Sequence, residues 1–426
     1  MPVAQLLRKI YEMSDNPSHA IIIGAGIVGL STALYLQRTG QSVTVIDSLP
    51  PAGGTSYGNS GLISSNTVVP IAQPGMLRKV PGWLLNSEGP LVIRPKYAIR
   101  LLPWLLRWRA AGTISEVLKI SDAMRMLMKE SLVRWRELLG DANFSDLIRQ
   151  SGQVRVWEGG GMESAIERKL ADRHGVHVKP LDAKELRDLF PGLSSDIRQG
   201  LLVPGNAHTV NPQRLVQTLA RLFLEAGGQI IAERVLKIIP NESGLGYMLL
   251  TNISNRHAMQ VVVATGAWSR ELLSPLGIHV PLESERGYHA MLPDPSIELI
   301  MPISIKNRGF GMTPMEHGLR VTGTVEFAGL SAPPNEHRAK ILVQHAKRIF
   351  PALRTGEPKY WMGHRPSTPD GLPVLGEAPN RKGLFLAFGH GHFGMTGGPP
   401  SAKLLCELMT GQPTSIDPIP FSCTRF

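Results

Sequence analysis

The sequence predicts an α/β protein in which a nucleotide-binding domain of parallel strands interleaves with a second, hairpin-containing domain. Three observations carry this. Residues 20–47 read as strand, glycine turn, helix, strand and acid. A second loop with the same glycine spacing follows an apolar run near the C-terminus, at residues 384–394. Residues 284–327 alternate in the manner of hairpins, and no repeat, linker or low-complexity stretch separates one domain from the next.

The first unit opens with the apolar run 20–23, which leads into Gly24, Gly26 and Gly29, spaced G-x-G-x-x-G. Leu30, Ala33, Leu34 and Leu36 recur at helical spacing, and Gly40 is placed to end that helix. A second β-rich run, 42–46, ends at Asp47, 23 residues after Gly24. This is the context a dinucleotide fingerprint requires. Gly24 permits the tight turn, Gly26 lets the backbone approach a pyrophosphate, and Gly29 lets the helix lie close to the strand. Ala25, Ile27, Val28 and Ser48 border the same loop. Asp47 suits ribose hydroxyls, and its charge would repel a 2′-phosphate.

Further along, Asn211-Pro212 supplies an N-cap and a first-turn proline. Leu215, Val216, Leu219, Leu222, Phe223 and Ala226 then form one apolar helical face, stopped by Gly227-Gly228. Strands are expected at 229–232 and 259–264, with Glu316-His317-Gly318 as a hairpin turn. The second glycine loop, Gly389, Gly391 and Gly394, precedes a helix expected at 401–409. Only 32 residues follow Gly394, too few for another nucleotide fold, so this helix is read as pointing its N-terminus at the same ligand. A partial positive charge there suits the N1–C2=O edge of a reduced flavin, whereas a reduced nicotinamide ring is neutral. The expected cofactor is therefore FAD.

Composition narrows the setting. The chain has 426 residues, 42% hydrophobic and 19% charged, with a net charge of +11 that favours anionic partners. Cys406 and Cys423 cannot build a disulfide scaffold or a four-cysteine zinc site. No apolar run approaches the ~20 residues of a membrane span, and the 20–23 run enters a glycine loop, unlike a secretory signal. A cytoplasmic protein is expected. Trp83, Trp104 and Trp108 stand among leucines with Arg94, Lys96, Arg100, Arg107 and Arg109. That pattern suits peripheral contact with the inner face of a membrane, where a quinone could collect electrons; an interdomain helix is the alternative. No basic run or stacking module marks a nucleic-acid site.

Six ordered motifs resemble the FAD-dependent D-amino-acid oxidase superfamily, most closely its bacterial D-amino-acid dehydrogenase branch. They are Gly24 to Gly29 with Asp47; Thr55-Ser56-Tyr-Gly-Asn59-Ser-Gly61-Leu62; Val263-Ala264-Thr265-Gly266-Ala-Trp268; Arg286-Gly-Tyr288-His289; Arg365-Pro-Ser-Thr-Pro-Asp370-Gly371; and Gly389-His390-Gly391-His392-Phe-Gly394-Met395-Thr396. The resemblance implies an α/β architecture: a Rossmann-like FAD-binding domain built from discontinuous segments plus a mixed-sheet α+β substrate domain. The expected FAD segments are 19–90, 115–148, 205–280 and 361–426. Segments 91–114, 149–204 and 281–360 form the substrate domain, and 1–18 an N-terminal extension. Expected to bind the cofactor are Gly24, Ala25, Gly26, Ile27, Val28, Gly29, Asp47, Ser48, Thr55, Ser56, Asn59, Gly61, Leu62, Val235, Ala264, Thr265, Gly266, Trp268, Gly389, His390, Gly391, His392, Gly394, Met395 and Thr396.

The implied reaction is oxidative deamination of a D-amino acid by hydride transfer from Cα to flavin N5, with electrons passed to a quinone or other acceptor. The histidine-rich loop departs from alanine-oxidising dehydrogenases and leaves a cyclic substrate, D-hydroxyproline or D-proline, in view. Arg365 is the expected carboxylate clamp, because a planar guanidinium fixes both oxygens; a structural tie to Asp370 is its alternative. Tyr288 is expected to assist by hydrogen-bonding the carboxylate or covering the site, and a packing role is the alternative. His390 and His392 could tune the flavin or touch substrate. With no nearby Cys, Asp or Glu they form no metal set. Cys406, on the last helix, is poorly placed for a flavin thioether. A glycine/sarcosine-type oxidase, a tRNA-modifying flavoenzyme and a non-catalytic flavin-binding protein remain as other readings; hydrolase signatures are absent.

Overall fold

Alternate residues of the first strand enter two different cores. In His19–Ile23, Ala20 and Ile22 face one side, and Ile21 and Ile23 the other. A strand buried on both faces reads as a continuous apolar run, and it belongs at the centre of a parallel sheet. The computed structural model, which describes residues 19–242 and 244–426, places it there. The proposed extension 1–18 lies outside the described residues.

That sheet has six strands in the order Gln229–Ala232, Ser42–Asp47, His19–Ile23, Gln260–Val263, Leu384–Phe388 and Val374–Glu377. The first five are parallel and the last is antiparallel. Helices Ile27–Arg38, Pro212–Glu225 and Gly394–Met409 contribute to the core on one face. The small three-stranded sheet of Val235–Pro240, Tyr247–Thr251 and Asn255–Ala258 contributes to the core on the other.

A nine-stranded mixed sheet forms the roof. Its order is Lys359–Ser367, Glu283–Leu292, Gly318–Phe327, Phe310–Met315, Ile303–Ile305, Gln153–Val156, Gly200–Val203 and Lys179–Leu181, with Leu91–Ile93 parallel to Gly318–Phe327. Glu336–Ile349 packs on one of its faces, in the core that holds Tyr288, Ala290 and Leu292. Lys359–Ser367 pairs along Glu283–Leu292, so the domain boundary expected at 361 falls inside a roof strand and moves beyond it.

The last helix also corrects the sequence reading. It was expected from 401 and begins at Gly394, although glycines and Pro399-Pro400 lie in its first turns. The two prolines withdraw the N–H groups that would have bonded the carbonyls of Met395 and Thr396. Trp135 Nε1 donates to the first at 2.9 Å and Ser131 Oγ to the second at 2.7 Å, both from helix Ser131–Leu147. The broken ladder is thus completed from a neighbour, and the helix survives.

Candidate functional site

The glycine turn after His19–Ile23 is as tight as its spacing requires. Gly24 sits at φ +118°, and a Cβ there would lie 2.5 Å from the Ala264 carbonyl oxygen. A Cβ on Gly29 would lie 1.9 Å from the Gly24 oxygen, so only glycine lets the helix close onto the turn. Asp47 braces the loop: Oδ2 accepts from Ala25 N at 2.7 Å and Oδ1 from Leu49 N at 2.9 Å.

A cavity of about 520 Å³ opens over this turn. Gly24, Ala25, Gly26, Ile27 and Val28 form its floor with Asp47 and Ser48. Thr55, Ser56 and Asn59 come from the following loop, and Val235, Ala264, Thr265, Gly266 and Trp268 from the neighbouring strand ends. His390, Gly391 and Gly394 close it from the second glycine loop. The remaining expected residues support this wall instead of lining it. Gly29 packs beneath the turn, and Gly61 (φ +78°) donates to Asn59 Oδ1 at 2.8 Å. Gly389 takes φ +86°, Met395 is buried, and Thr396 Oγ1 accepts from Ser64 N at 2.9 Å. Leu62 and His392 line a second cavity. Glu233, Arg234, Leu236, Glu271 and Leu272 also line the first cavity and carried no signal in the sequence, since only the fold brings their segments to it.

The fit to FAD rests on this cradle. Backbone approaches that any Cβ would block, a carboxylate at the end of the second strand, and the uncapped N-terminus of Gly394–Met409 meet along one cleft. Gly24, Gly26 and Asp47 would hold the dinucleotide. Gly391 and Gly394 would face the ring end. Cys406 lines neither cavity; burial raises its thiol to about 11, which opposes thiolate chemistry.

The second cavity, about 320 Å³, shares Thr55, Asn59 and Gly391 with the first. Loop 55–62 is tied to the roof: Thr55 Oγ1 donates to His364 O at 2.9 Å, and Arg320 Nη1 donates to Asn59 O at 2.7 Å. Trp361 forms an aromatic wall stacked on His289, with ring centres 5.1 Å apart. Gly58 and Gly363 leave it room, since a Cβ on either would lie 2.0 Å from the indole.

Arg365 is in this chamber. Its guanidinium lies over Gly287, where a Cβ would sit 2.1 Å from Cζ. Nη1 donates to Thr324 O at 3.1 Å, and no other protein acceptor takes its N–H groups among the described residues. Burial lowers its pKa and neighbouring Glu285 opposes the shift; a guanidinium stays charged regardless. The alternative tie to Asp370 is not made, because Asp370 accepts from Arg425 Nε at 2.7 Å.

Tyr288 is among the residues bordering this chamber, but its hydroxyl, expected to meet the carboxylate, is committed on the other face. Its hydroxyl donates to Glu326 on the helix-covered face of the roof and accepts from Asn335 N at 3.1 Å. Burial and Glu326 push its pKa up to about 12. Strand alternation explains the miss: Glu285, Gly287 and His289 face the chamber side, so Arg286 and Tyr288 point away. Arg286 is fully buried and donates to the carbonyls of Gly329, Ala332 and Pro333 at 2.9, 2.6 and 3.1 Å. The two loop histidines also part company. His390 Nε2 meets Ser401 Oγ at 2.9 Å, and burial lowers its pKa to about 4. His392 Nε2 meets Glu285 Oε2 at 2.7 Å. Glu285, unmarked in the sequence, accepts from Ser367 Oγ as well, at 2.9 Å.

Comparison with known proteins agrees with this architecture. Residues 19–408 match the family model described as FAD dependent oxidoreductase. The chain is 37% identical to a protein of Bradyrhizobium diazoefficiens named D-amino-acid oxidase, covering 96% of this chain and 99% of the relative. It is 30% identical to a D-amino acid dehydrogenase of Rhizobium rhizogenes, over 95% and 99% of the two chains. Among solved structures, L-proline dehydrogenase from P. horikoshii superposes with a TM-score of 0.73 at 19% identity, covering 96% of this chain and 97% of that one. Glycine oxidase from Geobacillus kaustophilus gives 0.70 at 23%, covering 96% and 99%; at these identities the likeness is one of fold. The cradle, the topology and the match across residues 19–408 have one reading: this chain belongs to the family of FAD-dependent oxidoreductases, and its cofactor is FAD.

Proposed function

We propose that the protein oxidises the Cα–N bond of a D-amino acid, giving an imino acid that hydrolyses to the 2-oxo acid. One observation carries this: a half-buried guanidinium with uncommitted N–H groups faces a chamber that adjoins the cofactor cleft. A guanidinium that gives one hydrogen bond to a backbone carbonyl, with Glu285 nearby but not hydrogen-bonded to it among the described residues, has donors left for a carboxylate ligand. The names of the curated relatives supply the amino-acid class.

FAD supplies the hydride acceptor when bound. The chain's own residues do the rest. Arg365 holds the carboxylate in a fixed plane, Gly287 gives its guanidinium a flat seat, and Trp361 and Phe310 exclude water from one side of the chamber. Among the described residues the hydroxyls of Thr322 and Thr324, buried at this chamber, have no hydrogen-bond partner. An unsatisfied hydroxyl favours a ligand that brings a polar group to it. That supports a hydroxylated ring such as D-hydroxyproline within the substrate class.

The acceptor in this reading is a quinone reached at a membrane surface. Among the described residues no helix is long and apolar enough to cross a membrane. Leu84, Leu85, Ile99, Leu102 and Leu106 are nevertheless exposed on helices Val80–Leu85 and Pro95–Ala111, beside Lys79, Lys96, Arg100, Arg107 and Arg109. Such a face suits an anionic interface. A second reading, reoxidation by oxygen, is favoured by the oxidase name of the 37% identical relative. Anaerobic bleaching of the flavin band by D- and L-amino acids, prolines and sarcosine tests the substrate. Peroxide release in air against dye or quinone reduction tests the acceptor. No bleaching by any D-amino acid would remove the proposal, and stoichiometric peroxide would make the enzyme an oxidase.

A further inference from the structure

Resting on that reading, we propose that His392, oriented by Glu285, takes the proton from the substrate ammonium, so that the amine is neutral when the Cα hydride leaves. A zwitterionic amino acid has two ends to be met: the carboxylate needs a cation, and the ammonium needs a base. The chamber holds both, Arg365 for the carboxylate and His392 for the ammonium, with Lys306 also on its lining. Arg365 and Glu285 are directly paired residues of adjacent antiparallel strands, and His392 comes from the glycine loop against the same carboxylate.

Glu285 is 5% exposed and would be costly there without partners. Burial alone would raise its pKa. The contact with His392, the charge of Arg365 and the Ser367 hydroxyl outweigh burial and hold it below the usual carboxylate range. A carboxylate oxygen can only accept, so His392 Nε2 carries the hydrogen of this contact, and in the neutral imidazole Nδ1 is the acceptor. This is the arrangement by which a carboxylate fixes an imidazole's tautomer and ring orientation.

The other histidines nearby are held by partners. His390 is held by Ser401 and His364 by Ser284, the latter through Nδ1 at 2.8 Å. His289 Nδ1 meets Gly58 O at 3.1 Å. Lys306, also at the chamber, is the second basic group there. Burial and Arg155 lower its pKa, against Glu167 3.8 Å away, but unlike His392 it does not meet the carboxylate paired with Arg365. The Tyr288 hydroxyl is on the far face. His392 is the one histidine lining the chamber, and its side chain is 34% exposed, which leaves a path for a proton to solvent.

The step balances simply. An ammonium N–H bond breaks with its electron pair staying on nitrogen, and the proton passes to His392 Nδ1, whose new charge Glu285 neutralises. The Cα–H bond then breaks, its electron pair leaving as hydride to the oxidised cofactor, while the nitrogen lone pair closes the C=N bond. The proton on His392 leaves to solvent. His392 is the catalytic group here and Glu285 the positioning residue.

The test is anaerobic stopped-flow bleaching of the FAD-loaded enzyme at saturating substrate, followed across about pH 6 to about pH 10. The unaltered enzyme should show a rate that rises through one ionisation to a plateau; a rate independent of pH overturns the proposal without any variant. His392→Gln should bleach roughly 100-fold or more slowly near neutral pH, with its inflection moved alkaline towards that of the substrate amine. Glu285→Gln should also slow bleaching and change the pH profile, because the imidazole loses the carboxylate that fixes its tautomer. Free imidazole should partly restore His392→Ala. Binding of cyclopentanecarboxylate, read as a perturbation of the flavin band, should be little changed in His392→Gln, because that molecule has no ammonium. An unchanged bleaching rate and profile in His392→Gln overturns the relay. Failure of the carboxylate to bind the unaltered enzyme, with no bleaching by any amino acid, instead removes the underlying reading.

Discussion

At the scale of single residues, the proposed carboxylate clamp rests on Arg365. Lysine at this position keeps a charge but loses the planar fork and the seat on Gly287. Arg365→Lys is expected to lower kcat/KM by roughly 10- to 150-fold, corresponding to about 1.5–3 kcal/mol for a charged hydrogen bond, while FAD content is retained. Gly287→Ala should act in the same direction, because its Cβ would displace the guanidinium from 2.1 Å away. Steady-state kinetics on flavin-replete protein checks both, and undiminished efficiency in Arg365→Lys moves the clamp elsewhere. Asp47 offers a contrast. It braces the glycine loop through Ala25 and Leu49, so Asp47→Ala should weaken FAD binding by about 1.5–3 kcal/mol and leave the carboxylate site as it was. Apoprotein titrated with FAD gives that number directly.

At the scale of elements, the last helix shows how a local rule is overridden. Pro399 and Pro400 would ordinarily end a helix, yet Trp135 and Ser131 take the carbonyls that the prolines orphan. Trp135→Phe should leave the Met395 carbonyl buried and unpaired, costing about 1–3 kcal/mol in urea unfolding; an unchanged midpoint would mean water or backbone movement replaces the indole. The Val80–Leu85 and Pro95–Ala111 helices make a different case. Leu85 and Ile99 are 88% and 85% exposed, so a glutamate at either position disturbs no core. Ile99→Glu combined with Leu85→Glu should abolish sedimentation with anionic vesicles at low salt and spare bleaching by substrate. Equal sedimentation of the variant and the unaltered protein would exclude this face as the contact.

At the scale of the whole molecule, burial of histidines sets a pH dependence. His208, His289, His364 and His390 are pushed down from 6.5 to about 4, 3, 4 and 4, chiefly by desolvation. Each folded-state value lies below the unfolded one, so the unfolded chain binds more protons as pH falls. Their contribution is fully present above about pH 6.5 and is lost as pH falls through the folded values near 4. Thermal melts should therefore drop steadily between about pH 6.5 and about pH 4, and a flat profile there would count against buried neutral imidazoles. Three of the four, His289, His364 and His390, lie in the roof or glycine loop around the cavities, so acid should release FAD ahead of global unfolding.

What the sequence determined by itself is local and sequential. The G-x-G-x-x-G turn with Asp47, the capped helix Pro212–Glu225 and the hairpin at Glu316-His317 are short-range consequences of glycine conformation, capping and side-chain period. Resemblance added Arg365, whose geometry supports the clamp. The tertiary structure decided what depends on facing and on rescue from afar. Strand alternation, together with the choice of which face the helix Glu336–Ile349 covers, turned Tyr288 away and turned Glu285 inward. A tryptophan some 260 residues from Met395 in sequence restored a helix that local propensity would stop. Glu285 and His392 are 107 residues apart, and neither has a local partner that could announce the pair. Only the packing of the glycine loop against the roof sheet joins them, because a buried carboxylate and a base acquire a shared chemistry when the fold removes water from between them.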